Sequence, residues 1–146
     1  FRFQKNSIWF GQAVCFSAGN GKNLVLHLYE AAIDLLSYLT LLKEQGVDYR
    51  DGNYISLGGI YQPKKEIEKS TVPVALKRYL AEHKTTKIMV YFDNDFAGRK
   101  AAETLKIILL EYEVKNYPPP KGKDYNDYLV MKRVSELKKK SREVCR

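Results

Sequence analysis

The sequence predicts an α/β fold built on a mostly parallel sheet, and three observations carry that expectation. Residues 88–92, Ile-Met-Val-Tyr-Phe, are apolar without interruption, the pattern of a strand buried on both faces by helices. Strand-like and helix-like stretches alternate along the chain, which favours parallel strands joined by helical crossovers. Gly19-Asn20-Gly21 separates two strand-like runs, residues 7–18 and 23–29, and reads as a hairpin that adds an antiparallel N-terminal edge strand. The expected sheet therefore has four mostly parallel strands with helices on its faces, and one antiparallel strand at its edge.

Taken in order, the second run ends at Glu30, and its His27 lies among apolar neighbours, as a core or edge histidine does more often than a ligand. From Ala31 a leucine-rich helix runs to Gly46, whose position suits a C-terminal cap. Its leucines surround most of the circumference, so the helix is expected to be well buried. Asp34 interrupts them one turn after Glu30, and in that setting its carboxylate needs an amide, a base or a metal. Residues 53–57 form a short strand closed by Gly58-Gly59, and residues 62–70 are a charged loop. Thr71 and Pro73 open a helix with Val72, Leu76 and Leu80 on its apolar stripe. After the strand at Ile88, a helix is expected from Ala97 to about Tyr112, and then a last strand at 114–117. Pro118-Pro119-Pro120 stops that strand and presents Lys121-Gly122-Lys123-Asp124, before an amphipathic helix with a basic face over 128–140.

Composition bounds the function classes. A chain of 146 residues has room for one domain with a proper core. No stretch has the length of a membrane span and no signal peptide is visible, so a cytoplasmic protein is expected. Cys15 and Cys145 have no metal-binding spacing and point to neither a zinc site nor a disulfide framework. The chain begins at Phe1 rather than Met, as a piece of a longer protein would. A net charge of +8 favours a polyanionic partner, nucleic acid first. Part of that excess is the run Lys138-Lys139-Lys140-Ser141-Arg142, which a solvated helix end would also explain.

The chemistry is concentrated where strands end. In open α/β sheets ligands collect beyond the carboxyl ends of the strands, and Glu30, Gly58-Gly59 and the pair Asp93 and Asp95 all fall there. Three hard carboxylate oxygens suit Mg²⁺, or Mn²⁺ in its place, and such an ion neutralises phosphate charge. Capping of the following helix would explain one of the two aspartates but explains both less well. Arg99 and Lys100 follow the aspartates on the next helix, and Lys121 and Lys123 lie on the loop after the neighbouring strand. These four are the candidate phosphate contacts. Asp124 either orients Lys123 or a metal-bound water, or caps the last helix as Asn126 could.

Glu30-Ala-Ala-Ile-Asp34, Asp93-Asn-Asp-Phe-Ala-Gly98 and Gly122-Lys-Asp124, in this order over residues 24–129, resemble the Toprim domain of primases, topoisomerases and small nucleases. The phrases YEAAIDLLSYLTL, YISLGG, DNDFAGRKAAE and GKDYNDYL are similar to the Toprim-like branch of bacterial, often mobile-element, proteins in which it follows an uncharacterised domain. The resemblance implies a Rossmann-like sheet, Glu30 as general acid or base, and Asp93 and Asp95 as Mg²⁺ ligands. Asp34 and Asp124 support them. Many primase-type members carry Glu-Gly where this chain has Glu30-Ala31.

Three functions are carried forward. The first is a Toprim-type, metal-dependent module acting on DNA phosphodiesters, primase-associated or nuclease-like, in a larger bacterial protein. DNA, an RNA primer and flanking domains are its expected partners, with no membrane involved. The second is a catalytically silent nucleic-acid-binding or assembly module that keeps the acidic site. The third is a phosphotransferase of the haloacid dehalogenase kind, with Asp93-x-Asp95 as its nucleophile motif, although that motif expects Thr or Val where this chain has Ala97. The expected division is 1–23 as the end of a preceding region and edge strand, 24–130 as the Toprim-like domain, and 131–146 as a basic C-terminal helix or tail.

Overall fold

The computed structural model describes residues 15–59 and 61–144. Five strands form one sheet: β1 (Ser17–Gly19), β2 (Val25–Tyr29), β3 (Asn53–Ser56), β4 (Lys87–Val90) and β5 (Glu113–Asn116). Four helices pack on it: α1 (Ala32–Glu44), α2 (Val74–Glu82), α3 (Phe96–Ile108) and α4 (Tyr125–Val144). The strand order is β1-β3-β2-β4-β5. β2 lies parallel to β3, with Leu28 beside Ile55, and parallel to β4, with Leu28 beside Val90. β4 lies parallel to β5. The carboxyl ends of β2 to β5 therefore share one edge of the sheet.

Alternation along each strand sends side chains to two different cores. Leu26, Leu28, Ile55, Ile88 and Val90 meet Leu76 of α2 and Ala101 and Leu105 of α3. Tyr29, Tyr54 and Tyr91 face the other way and meet Leu35 and Leu39 of α1 and Tyr125 of α4. Both faces of β2 and β4 are thus covered, as the uninterrupted apolar run requires. Leu26, Leu28, Ile88 and Val90 are fully buried, each worth at most about 2–3 kcal/mol against exposure. No helix among the described residues is long and apolar enough to cross a membrane.

The edge strand is antiparallel as expected, but its partner differs from the sequence reading. β1 pairs with β3, Ser17 beside Ile55 and Gly19 beside Asn53, and not with β2 in a hairpin. Both edges of β2 are already taken by parallel neighbours, so a hairpin partner has no ladder to join. Gly19 serves the crossing instead. Its φ is +100° and a β-carbon there would stand 1.8 Å from the Gly52 carbonyl oxygen, a separation that only glycine permits. Residues 7–14 of the expected N-terminal strand, and Cys145, lie outside the described residues.

Two helix ends also differ. α3 stops at Ile108, four residues before the expected end near Tyr112. Leu109 turns inward to a buried position, and the Tyr112 amide donates back to its carbonyl at 3.0 Å, which lets the chain enter β5. α4 begins at Tyr125, before the expected Tyr128, and runs unbroken to Val144. Its start follows from Asp124, whose Oδ1 accepts from the Asp127 amide at 2.7 Å. At the end of α1, Gly46 and Val47 donate to the carbonyls of Lys43 and Leu42 at 3.1 and 2.9 Å, the C-terminal closure that glycine favours.

Candidate functional site

Backbone ladders continue past the strand ends and bring the acidic residues together. The Leu57 and Gly59 amides donate to the Tyr29 and Glu30 carbonyls at 2.8 and 3.3 Å, and the Tyr91 amide donates to the Leu28 carbonyl at 2.8 Å. Glu30 is thereby held between the glycine turn after β3 and the segment that leads to Asp93. On the far side, the Asn94 amide donates to the Lys123 carbonyl at 2.6 Å, which stitches the β5–α4 loop onto the aspartate turn.

The two aspartates have different local roles. Asp95 is the N-cap of α3, and its Oδ1 accepts from the Gly98 amide at 2.8 Å. The capping explanation thus holds for one oxygen of Asp95 and does not reach Asp93. Asp93 Oδ2 lies 3.1 Å from Lys123 Nζ, and Asp95 Oδ2 lies 3.8 Å from the same ammonium. One cation already stands between the two carboxylates. Hydrogen bonding to Asp93, reinforced by the charges of Asp93 and Asp95, raises the Lys123 pKa.

Gly98 makes this turn possible. A β-carbon there would meet the Asp93 carbonyl oxygen at 2.1 Å and its carbon at 2.9 Å. The first turn of α3 thus rests directly on the Asp93 backbone.

Glu30 and Asp34 are both buried. Burial raises the Glu30 pKa to about 7, with Asp93, Asp95 and Asp34 adding to the rise and Lys123 opposing it. Asp34 rises to about 6, again chiefly by burial, with the Asn126 amide opposing and Asp124 adding. The partner that Asp34 needed is that amide, which donates to its Oδ1 at 3.2 Å. Asp124 caps α4 and lies beside Asp34, so of its two expected roles the structure displays the cap.

The basic candidates separate. Lys123 joins the aspartates, and Arg99 Nη1 donates to Asn94 Oδ1 at 3.2 Å on the rim of the same turn. Among the described residues, no hydrogen bond or ion pair ties Lys100 or Lys121 to the acidic pair.

Two features escaped the sequence reading. Phe96, directly after Asp95, is 78% exposed at the first position of α3, and the sequence showed it only as a member of the Asp93–Gly98 motif. Beneath the site lies a cluster of tyrosines. The Tyr29 and Tyr91 rings stack with centroids 4.8 Å apart, and Tyr125 donates to the Tyr117 carbonyl at 3.2 Å. His27 stacks on Tyr54 with centroids 4.8 Å apart, and its Nδ1 lies 2.9 Å from the Tyr91 hydroxyl. Burial lowers its pKa to about 4. Tyr29 precedes Glu30, Tyr91 stands two residues before Asp93, and Tyr125 follows Asp124. The acidic groups therefore project from a packed aromatic floor, a rigid support for a site.

The donor set suits a hard divalent ion. Asp93 and the second oxygen of Asp95 face a position already held by positive charge, and the Glu30 carboxyl lies near enough for their charges to raise its pKa. Among the described residues no three acidic, histidine or cysteine side chains already stand together as a finished metal cage. An ion entering here would have to displace the Lys123 ammonium and draw the carboxylates inward.

Residues 27–129 match the Toprim-like family. The chain belongs to the Toprim-like family. Its fold is similar to that of the primase fragment of the bacteriophage T7 primase-helicase protein, with a TM-score of 0.51 at 21% identity. The alignment covers 81% of this chain and 43% of that one, so the Toprim-like chain spans less than half of the solved fragment. Comparison with curated protein sequences gives no match. Family membership replaces the haloacid dehalogenase reading of Asp93-x-Asp95.

Proposed function

We propose that this Toprim-like chain is a divalent-metal-dependent module acting on DNA phosphodiesters, primase-associated or nuclease-like, within a larger bacterial protein. The observation that supports the reading is the Lys123 ammonium standing between Asp93 and Asp95 beyond the strand ends, with the buried Glu30 carboxyl close enough to feel both charges. Asp93 and Asp95, with Glu30, are the residues that would hold Mg²⁺ or Mn²⁺. When bound, such an ion supplies charge neutralisation for a phosphate and its leaving oxygen. Glu30, desolvated beside them, is the group that holds or accepts a proton as general acid or base. Lys123 turns from the aspartates to a substrate phosphate, and Arg99 meets the neighbouring phosphate from the rim. The exposed Phe96 ring gives a base of the bound strand a surface to stack on. Flanking domains would supply template, nucleotide and any RNA primer, because positioning carries much of phosphoryl-transfer catalysis.

A second reading has its own support. The Lys123 bridge neutralises the aspartate pair without any metal, as a silent nucleic-acid-binding module would do. Titration of a fluorescent primer–template DNA with and without Mn²⁺ separates the two. The catalytic reading expects binding strengthened by Mn²⁺ in the natural chain and unmoved by it in the Asp93→Asn/Asp95→Asn variant. Mn²⁺-independent binding in both, with no turnover on long incubation, favours the silent module and removes the catalytic one.

A further inference from the structure

We propose that the outer face of α4 is a docking seam for an acidic amphipathic helix. Val130, Val134, Leu137, Ser141 and Val144 follow one another in steps of four, three, four and three residues. That spacing is the alternating a and d pattern of a coiled-coil seam. The four apolar members are 52%, 44%, 67% and 86% exposed. They lie on the side of the helix away from Tyr125, Tyr128 and Leu129, which pack into the tyrosine core. Lys132 pairs with Glu44 of α1 from the packed side and Arg133 reaches the same carboxylate from one border of the seam, so the helix is anchored on α1 while the apolar stripe stays exposed. Fifteen helical residues make this stripe about 21 Å long.

Charge identifies the occupant. With Val134 at an a position, Lys138 falls at e and Arg133 and Lys140 at g, the positions that border such a seam. Arg133 is partly neutralised by Glu44, while Lys138 and Lys140 are exposed on either side of Leu137. Two copies of this chain meeting through the seam would bring lysine against lysine or arginine in either orientation, which opposes self-association. A nucleic-acid strand would satisfy the lysines but leave the valines and Leu137 in water. A helix with apolar a and d residues bordered by glutamates satisfies both sets at once. The seam is only two heptads long, so binding to a free peptide is expected to be weak, and strong only where the partner is tethered nearby.

The test uses the 146-residue chain and two synthetic helical peptides with leucine at a and d, one bearing glutamate and the other lysine at e and g. Anisotropy at low salt should show binding of the glutamate peptide alone. Val134→Ser/Leu137→Ser should weaken it by about tenfold or more, with the melting temperature unchanged because the residues are exposed. Lys138→Glu/Lys140→Glu should transfer the preference to the lysine peptide. Equal binding of both peptides, or glutamate-peptide binding that survives loss of Val134 and Leu137, would overturn the proposal. So would dimerisation of the chain in sedimentation that is lost with Leu137→Ser, oligonucleotide binding that depends on Leu137, or a lowered melting temperature in the serine variant.

Discussion

Replacing Gly98 with alanine sets two effects of known size against each other. In a helix interior the substitution should stabilise by up to about 1 kcal/mol, since alanine loses less backbone freedom than glycine on folding. Here the new β-carbon would stand 2.1 Å from the Asp93 carbonyl oxygen. An ordinary contact is more than 1 Å longer, and the obstacle is backbone, which cannot rotate away as a side chain could. Overpacking of this kind costs about 1–3 kcal/mol, so with the full helical gain subtracted the net effect should be a loss of about 0–2 kcal/mol. The gap must open between the first turn of α3 and Asp93, so the loss should come with a displaced aspartate turn. Misplacement of about 1 Å can reduce catalysis about a hundredfold. Urea melts of Gly98→Ala beside an exposed helical control, such as Glu103→Ala, would measure the first effect, and Mn²⁺ affinity the second. A Gly98→Ala chain more stable than the natural one, with unchanged Mn²⁺ affinity, would refute the account of this turn.

Three further outcomes follow from the same site. His27 has its folded pKa lowered to about 4 from 6.5, so its contribution is present above pH 6.5 and is lost as pH falls toward 4, by up to about 3 kcal/mol; His27→Phe should remove that acid loss in pH-dependent urea melts, and an unchanged profile would contradict it. Glu30 is raised to about 7 from 4.5, so its folded form is penalised as pH rises from 4.5 through 7; in chelator, Glu30→Gln should match the natural chain near pH 4 and exceed it by about 2–3 kcal/mol above pH 7, whereas a constant difference across pH would deny the shift. Lys123→Gln should weaken DNA binding and make the log–log salt slope shallower by about 1, and an unchanged slope would remove this loop from the binding surface.

The strand-end placement of the candidate residues was legible in the sequence because its cause is local. An apolar strand that ends in a carboxylate announces itself within a few residues, which is why Glu30, Asp93 and Asp95 could be named. The parallel sheet was legible for the same reason, since buried strands alternating with helices leave few other arrangements. What stayed hidden depends on contacts between distant segments. The ion pair of Lys123 with Asp93 exists because the Asn94 amide fastens to the Lys123 carbonyl, and no spacing rule reports that bond. The hairpin reading of Gly19-Asn20-Gly21 failed because the turn signal is local, while the partner of β1 was decided by β3 and β4 occupying both edges of β2. The tyrosine floor escaped notice because its members come from different strands and helices, so no single stretch looks aromatic.

The central claim is that the carboxyl edge of the sheet holds a divalent ion through Asp93 and Asp95 with Glu30, in competition with Lys123. Titration of Mn²⁺ into the chain, followed by the loss of its free-ion electron paramagnetic resonance signal, tests this directly. The account predicts one site, weakened about tenfold or more by Asp93→Asn and tightened by Lys123→Gln, which removes the competing ammonium. Equal Mn²⁺ binding by the natural chain and by Asp93→Asn, with no response to Lys123→Gln, would contradict it.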